Sequence, residues 1–207
     1  MPIDFSLYLV ADAEFAAGRD LLGMVGAAVR GGVTVVQLRA KNLPSRDFLE
    51  LGLRAADLLA RTGVPLLVND RLDIALACGA GGIHLGQEDM PLAAARKILG
   101  GDRIIGISVN TVEEARAAEA GGADYVGASP AFATATKETA LPILGPEGVR
   151  SIKRAVRIPV VAIGGISAVN AAALVHSGAD GIAVISAILG APDARRATED
   201  LRKAFKR

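Results

Sequence analysis

Gln37, Arg39 and Lys41 occupy every second position of Val33-Thr34-Val35-Val36-Gln37-Leu38-Arg39-Ala40-Lys41. Side chains of a β-strand alternate between its faces, so this spacing puts an amide, a guanidinium and an ammonium on one side. No acid lies within the stretch to neutralise them. A row of donors ending an apolar strand suits a polyanion, and phosphate or diphosphate fits it best. The alternative is a solvated strand end whose Arg39 and Lys41 meet only water or helix carboxylates.

Asp70 and Asp89 suggest a second chemistry, because each follows an apolar run. Two carboxylates converging at one mouth can hold Mg²⁺, a hard cation that takes oxygen ligands and bridges substrate phosphates. Each could instead cap the helix after it, Asp70 before Arg71–Cys78 and Asp89 near Pro91. Gly164-Gly165-Ile166 and Ile185-Ser186-Ala187-Ile188 fit a phosphate cup, since glycine admits close backbone approach and amides at a helix start attract anions. Tight turns alone would also use them. Thr134 and Thr136 share a parity and offer hydroxyls, and Lys137 adds a movable charge, in a loop running to about Gly145. Loops of that length are usually functional; a plain surface loop is the other reading. His84 and His176 are the two histidines and assemble no Ser-His-Asp or Cys-His set, which disfavours acyl chemistry. The sole cysteine, Cys78, excludes an internal disulfide and a Cys-cluster metal site, and its apolar setting reads as core.

The elements that must position these residues are short apolar runs separated by helix-period segments. Strand-like runs are Leu7–Val10, Val33–Leu38, Pro65–Asn69, Gly82–Leu85, Arg103–Ser108, Asp124–Gly127, Pro159–Ile163 and Gly181–Ile185. Helical periodicity marks Ser45–Arg61, Pro91–Leu99, Thr111–Ala120 and Asn170–Ser177, with Thr111 and Glu114 spaced as a capping box. Gly31, Gly79, Gly121 and Gly178 are expected to close helices. Gly79-Ala80-Gly81-Gly82-Ile83, Gly122-Ala123-Asp124-Tyr125-Val126 and Gly178-Ala179-Asp180-Gly181-Ile182 echo one helix-to-strand corner. Eight such units predict a (β/α)8 TIM barrel, with a doubly wound open sheet as the alternative. Barrel chemistry gathers at the carboxyl ends of the strands. The polar residues do follow the runs, as Asn69-Asp70, Gln87-Glu88-Asp89, Ser108, Gly164-Gly165 and Ser186.

Composition bounds the rest. The 207 residues are 51% hydrophobic, enough for one domain spanning 1–207 with a sizeable core. The formal net charge is +1 and no basic run with aromatics occurs, which argues against nucleic-acid or membrane-surface partners. No stretch of ~20 apolar residues and no signal-like N-terminus is present, so a cytoplasmic protein is expected.

In this order the pieces resemble the thiamine-phosphate synthase family, (β/α)8 enzymes that join the pyrimidine and thiazole halves of thiamine. The specific blocks are Gln37-Leu38-Arg39-Ala40-Lys41, Asn69-Asp70, His84-Leu85-Gly86-Gln87-Glu88-Asp89 and Thr134-Ala135-Thr136-Lys137. The resemblance implies that residues Gln37 to Lys41 (with Leu38 and Ala40), Asn69, Ser108 and Lys137 hold the pyrimidine diphosphate. It makes Arg39, Lys41, Ser108 and Lys137 the catalytic set and Asp70 and Asp89 the Mg²⁺ ligands. Thr134, Ala135, Thr136, Gly165, Ile185 and Ser186 would hold the thiazole phosphate. The implied chemistry is loss of diphosphate from the pyrimidine methylene, ahead of attack by the thiazole nitrogen. The implied partners are these small molecules, with room for a homo-oligomer. The chain departs from the family pattern at Ser129-Pro130, where Gly-Pro is usual, at Ala133 in place of Pro, and at Asn110 in place of His. A sister thiazole tautomerase, or a non-catalytic barrel that binds the phosphate, would not need the diphosphate set.

Overall fold

The computed structural model describes residues 3–134, 136 and 141–205. Eight strands pair in sequence order, all parallel, and close into a barrel. They are β1 (Leu7–Asp12), β2 (Val35–Arg39), β3 (Leu66–Asn69), β4 (Gly82–Leu85), β5 (Ile104–Val109), β6 (Tyr125–Ala128), β7 (Val160–Ile163) and β8 (Gly181–Val184). Around them lie α1 (Leu21–Gly31), α2 (Ser45–Leu59), α3 (Leu72–Ala77), α4 (Leu92–Leu99), α5 (Val112–Ala120), α6 (Gly145–Ala155), α7 (Ala171–Val175), α8 (Ser186–Leu189) and α9 (Ala194–Ala204). The expected (β/α)8 barrel is therefore found, and the open sheet is not.

The strands are apolar on both parities because each face is covered. Outward residues such as Leu9, Val36, Leu38, Val68, Ile83 and Ile105 pack against the helices in a large core layer. Inward residues form a smaller cluster of Phe5, Tyr8, Val10, Val35, Leu67, Tyr125, Val161 and Ala183 inside the barrel. This double burial is the signature of a parallel sheet between helices and a filled barrel.

The repeated corner has a definite job at the amino ends of the strands. Asp124 accepts from the amide of Ile105 at 2.7 Å and pairs with Arg96 at 2.6 Å. Asp180 accepts from the amide of Val160 at 2.8 Å and pairs with Lys153 at 2.7 Å. Each carboxylate thus ties a strand start to a neighbouring helix. The capping box is present, with the Glu114 amide donating to Thr111 Oγ1 at 3.1 Å. Of the α1 and α5 ends, one departs from the expectation: α1 is capped by Gly32 rather than Gly31, whereas Gly121 caps α5 as expected and Gly122 after it takes the positive φ. Pro91 precedes α4 as its N-cap, one residue earlier than its expected place in the first turn.

Candidate active site

The inward parity of the strands, followed upward from the apolar plug, turns polar. Tyr8 and Val10 on β1, Gln37 and Arg39 on β2, Asn69, His84, Ser108, Tyr125 and Ile163 all line one cavity of about 520 Å³ at the carboxyl ends. Lys41 joins them beyond β2, so the three donors of the opening stretch do share a face. Leu38 and Ala40, of the opposite parity, are buried in the helix-facing layer, which leaves only their backbone available to a ligand. Thr134, Thr136, Gly165, Ile185 and Ser186 line the same cavity. Lys137 and Ala135 lie outside the described residues.

Acids absent from the β2 stretch arrive from its neighbours. Register sets Asp12 opposite Arg39, and the buried Asp12 carboxylate accepts from the Arg39 guanidinium. Glu14 Oε2 is 3.8 Å from the same guanidinium. Lys41 Nζ is 2.6 Å from Asp70 Oδ2. The cations are oriented before any ligand arrives, and a bound anion would compete with these partners. Asp12 follows the first apolar run, so the strand-end rule that picks out Asp70 and Ser108 also points to it. Sequence reading stopped at Val10 and missed it.

Asp70 and Asp89 come together. Asp70 has a φ of 62°, a left-handed conformation that Asp tolerates better than most residues. Its carboxyl is hydrogen-bonded to that of Asp89. Burial first, and the Asp89 carboxyl second, hold Asp70 above the usual carboxylate range, while Lys41 pulls it down less strongly. Helix α3 has Arg71 at its N-cap and receives no side-chain cap, so Asp70 does not cap it. Asp89 accepts from the Gly86 amide at 2.6 Å, within its own turn, and α4 likewise has no side-chain cap. The capping alternative therefore fails for both residues. Two neighbouring carboxyls sharing a hydrogen bond are an arrangement that a divalent cation would stabilise. Among the described residues no cluster of three or more His, Cys, Asp or Glu side chains could hold a metal. Two carboxylates leave most of an octahedral oxygen shell for phosphate oxygens and water, which suits Mg²⁺.

The opposite side of the mouth is built from glycine and a tied loop. Gly164 and Gly165 have φ of 106° and 62°, and a Cβ on Gly165 would meet the Ala133 carbonyl oxygen at 2.2 Å. Those glycines let the loop after β6 lie directly on β7, where Ala131 and Phe132 amides donate to the Ile163 and Gly164 carbonyls. Asn110 donates to the Ser129 and Pro142 carbonyls at 2.7 and 3.0 Å, joining both ends of that loop. The departures at Ser129 and Asn110 thus meet in a single contact. The cavity floor holds residues that sequence reading did not single out, Tyr8 and Tyr125, each 1% exposed. Burial raises both phenols above their ordinary range, so both stay protonated. His84, on β4, is hydrogen-bonded through both ring nitrogens, to Tyr125 and to Ser108.

Residues 7–188 match a sequence model of the family described as "Thiamine monophosphate synthase". The thiamine-phosphate synthase of Syntrophomonas wolfei subsp. wolfei is 52% identical over 204 residues, covering 99% of this chain and 98% of that protein. That of Albidiferax ferrireducens is 55% identical over 188 residues, 90% of this chain and 85% of that protein. The structure of thiamine phosphate pyrophosphorylase from Pyrococcus furiosus superposes with a TM-score of 0.90 at 44% identity, covering 98% and 96% of the two chains. A 3-hexulose-6-phosphate synthase, at 18% identity and a TM-score of 0.74, shares the fold alone.

Proposed function

The chain belongs to the thiamine monophosphate synthase family, and from that premise we propose how its residues carry out the family reaction. The enzyme condenses 4-amino-2-methyl-5-(diphosphooxymethyl)pyrimidine with 4-methyl-5-(2-phosphooxyethyl)thiazole, releasing thiamine phosphate and diphosphate. The methylene C–O bond breaks with its electron pair going to diphosphate, and the thiazole nitrogen lone pair forms the new C–N bond. No proton must move, so no general base is required and the work is charge stabilisation and alignment.

The observation that carries the reading is that Asp70 joins Lys41 and Asp89, which line the cavity together with Arg39. Asp70 and Asp89 would hold Mg²⁺, which would neutralise charge developing on the diphosphate. Among the described residues Arg39 and Lys41 are each paired with a carboxylate, Asp12 and Asp70, and the cavity wall carries Glu88, Asp89 and Glu114, which favours a cation there. A divalent cation would offset the repulsion between these carboxylates and an entering diphosphate. Arg39 and Lys41 would turn from their carboxylates to the leaving group, with Lys137 as a third cation. Gln37, Asn69 and Ser108 would grip the pyrimidine, and the plug beneath them excludes water from its ring. Thr134, Ala135, Thr136, Gly165, Ile185 and Ser186 would hold the thiazole phosphate across the cavity.

The test supplies both substrates with Mg²⁺ and quantifies products. Thiamine phosphate and diphosphate should form in equal amounts only when both substrates are present. Asp89→Ala should keep its fold by circular dichroism and lose at least ~100-fold in kcat. Unfolding of that variant with no catalytic defect in the folded fraction would assign Asp89 to structure instead.

A further inference from the structure

Five side chains from five strands are joined across the cavity floor by four hydrogen bonds. Gln37 Nε2 donates to Tyr8 Oη at 2.7 Å, and Tyr8 Oη lies 2.9 Å from Tyr125 Oη. Tyr125 Oη lies 2.8 Å from His84 Nδ1, and His84 Nε2 lies 2.9 Å from Ser108 Oγ. The end members, Gln37 and Ser108, belong to the pyrimidine set proposed above. The three between them have no role in that set.

Neighbouring residues make room for this chain. A Cβ on Gly106 would overlap Tyr125 Cζ at 2.1 Å, and one on Gly127 would meet His84 Cε1 at 3.0 Å. The Phe5 ring packs 4.6 Å from the Tyr125 ring. Side chains on facing strands are thus cleared or braced to hold two phenols and an imidazole in contact.

A hydroxyl has one hydrogen, so a chain of this kind with every proton used has only two orders. With the Gln37 amide donating, Tyr8 must give its hydrogen to Tyr125, and Tyr125 must give its own to His84 Nδ1. His84 then carries its proton on Nε2 and donates it to Ser108 Oγ, which leaves the Ser108 hydrogen free for a ligand. With the Gln37 carbonyl accepting instead, every link reverses, and Ser108 offers the ligand only lone pairs. Burial keeps both phenols protonated, so neither order loses its middle.

We propose that Tyr8, Tyr125 and His84 are positioning residues: one directional relay through which the Gln37 amide holds His84 as its Nε2–H tautomer and turns the Ser108 hydrogen toward the pyrimidine diphosphate. The proposal rests on the reading of Gln37 and Ser108 as contacts of that substrate. Recognition of the pyrimidine at one wall then sets the hydrogen bond given at the other.

Nitrogen NMR of the ¹⁵N-histidine-labelled full chain reads the relay without any assumption about activity. The chain has two histidines, and His176→Gln assigns the signals of His84. The expected result is a single neutral Nε2–H tautomer in the wild type, and both tautomers in Tyr125→Phe. A wild-type Nδ1–H tautomer, or an unchanged single tautomer in Tyr125→Phe, would overturn the relay. Kinetics supply the second arm: Tyr125→Phe should lower kcat about tenfold, the scale of one lost hydrogen bond, with the KM for thiazole phosphate unmoved. The same change in a Ser108→Ala background should cost nothing further, whereas an additive loss would show that Tyr125 does not act through Ser108. If Tyr125→Phe does not fold, Tyr8→Phe cuts the chain one link earlier and is judged by the same kinetic criteria. A wild type that makes no thiamine phosphate would overturn the functional reading and leave the tautomer result standing, so the two failures are distinct.

Discussion

Asp70 is the residue on which the metal assignment turns, and its protonation makes a testable statement. Burial and the shared hydrogen bond with Asp89 raise its carboxyl above the ordinary value. A carboxyl raised in the folded state favours folding while it is protonated. Its contribution is complete below the unfolded value of about 3.9 and is lost as pH rises through the raised folded value. In metal-free protein, then, Asp70→Asn should melt increasingly above the wild type as pH rises through that range, with the difference vanishing in acid. Added Mg²⁺ should raise the wild-type melting temperature most at the higher pH and leave the variant little changed. Thermal melts in chelator and in Mg²⁺ across the acid range check this; a pH-independent difference would mean that the pair is not strained. Single residues were partly legible in the sequence. Parity alone assigns Gln37, Arg39 and Lys41 to one face and Leu38 to the other. Pairing across strands is not legible that way: Asp12 meets Arg39 through register, and Tyr8 and Gln37, 29 positions apart, are brought together only by barrel formation.

At the scale of elements, the two ends of the strands carry different duties. At the amino ends, Asp124 and Asp180 bond strand amides and helix cations far from the cavity. Replacing either with Ala should lower stability by about 1 kcal/mol and leave kcat unchanged, which a urea titration alongside an assay would register. At the carboxyl ends, Gly165 lets the β6 loop rest on β7, where any Cβ would meet the Ala133 carbonyl oxygen at 2.2 Å. Gly165→Ala should displace that loop, cost about 1–3 kcal/mol, and raise the KM for thiazole phosphate more than that for the pyrimidine diphosphate. Equal effects on the two KM values would detach the glycine from the thiazole side. All eight strands were legible as apolar runs, because strands covered on both faces need continuous hydrophobicity. Their ends differ from the expected ones by at most two residues, and β4 by none, where pairing, not composition, decides. β1 runs on to Asp12 because its partner β2 continues to Arg39. The doubled glycines at 31–32 and 121–122 are ambiguous in sequence, since either could end the helix; Gly32 caps α1 and Gly121 caps α5.

For the whole molecule, barrel closure converts eight separate strand ends into one rim. It sets Arg39 at the end of β2 and Lys41 just beyond it beside the Asp70 and Asp89 loops that follow β3 and β4, with Asn69 on β3 and Ser108 on β5. Among the described residues no helix is long and apolar enough to cross a membrane. The central claim is that Asp70 and Asp89 would hold a divalent ion against the departing diphosphate while Arg39 and Lys41 bind the diphosphate itself. The most direct measurement follows product formation from both substrates while Mg²⁺ is withdrawn by chelation and then restored. The account predicts that turnover stops in chelator and returns in full with Mg²⁺ in wild type, and does not return in Asp89→Ala. Undiminished synthesis of thiamine phosphate in chelator would contradict it.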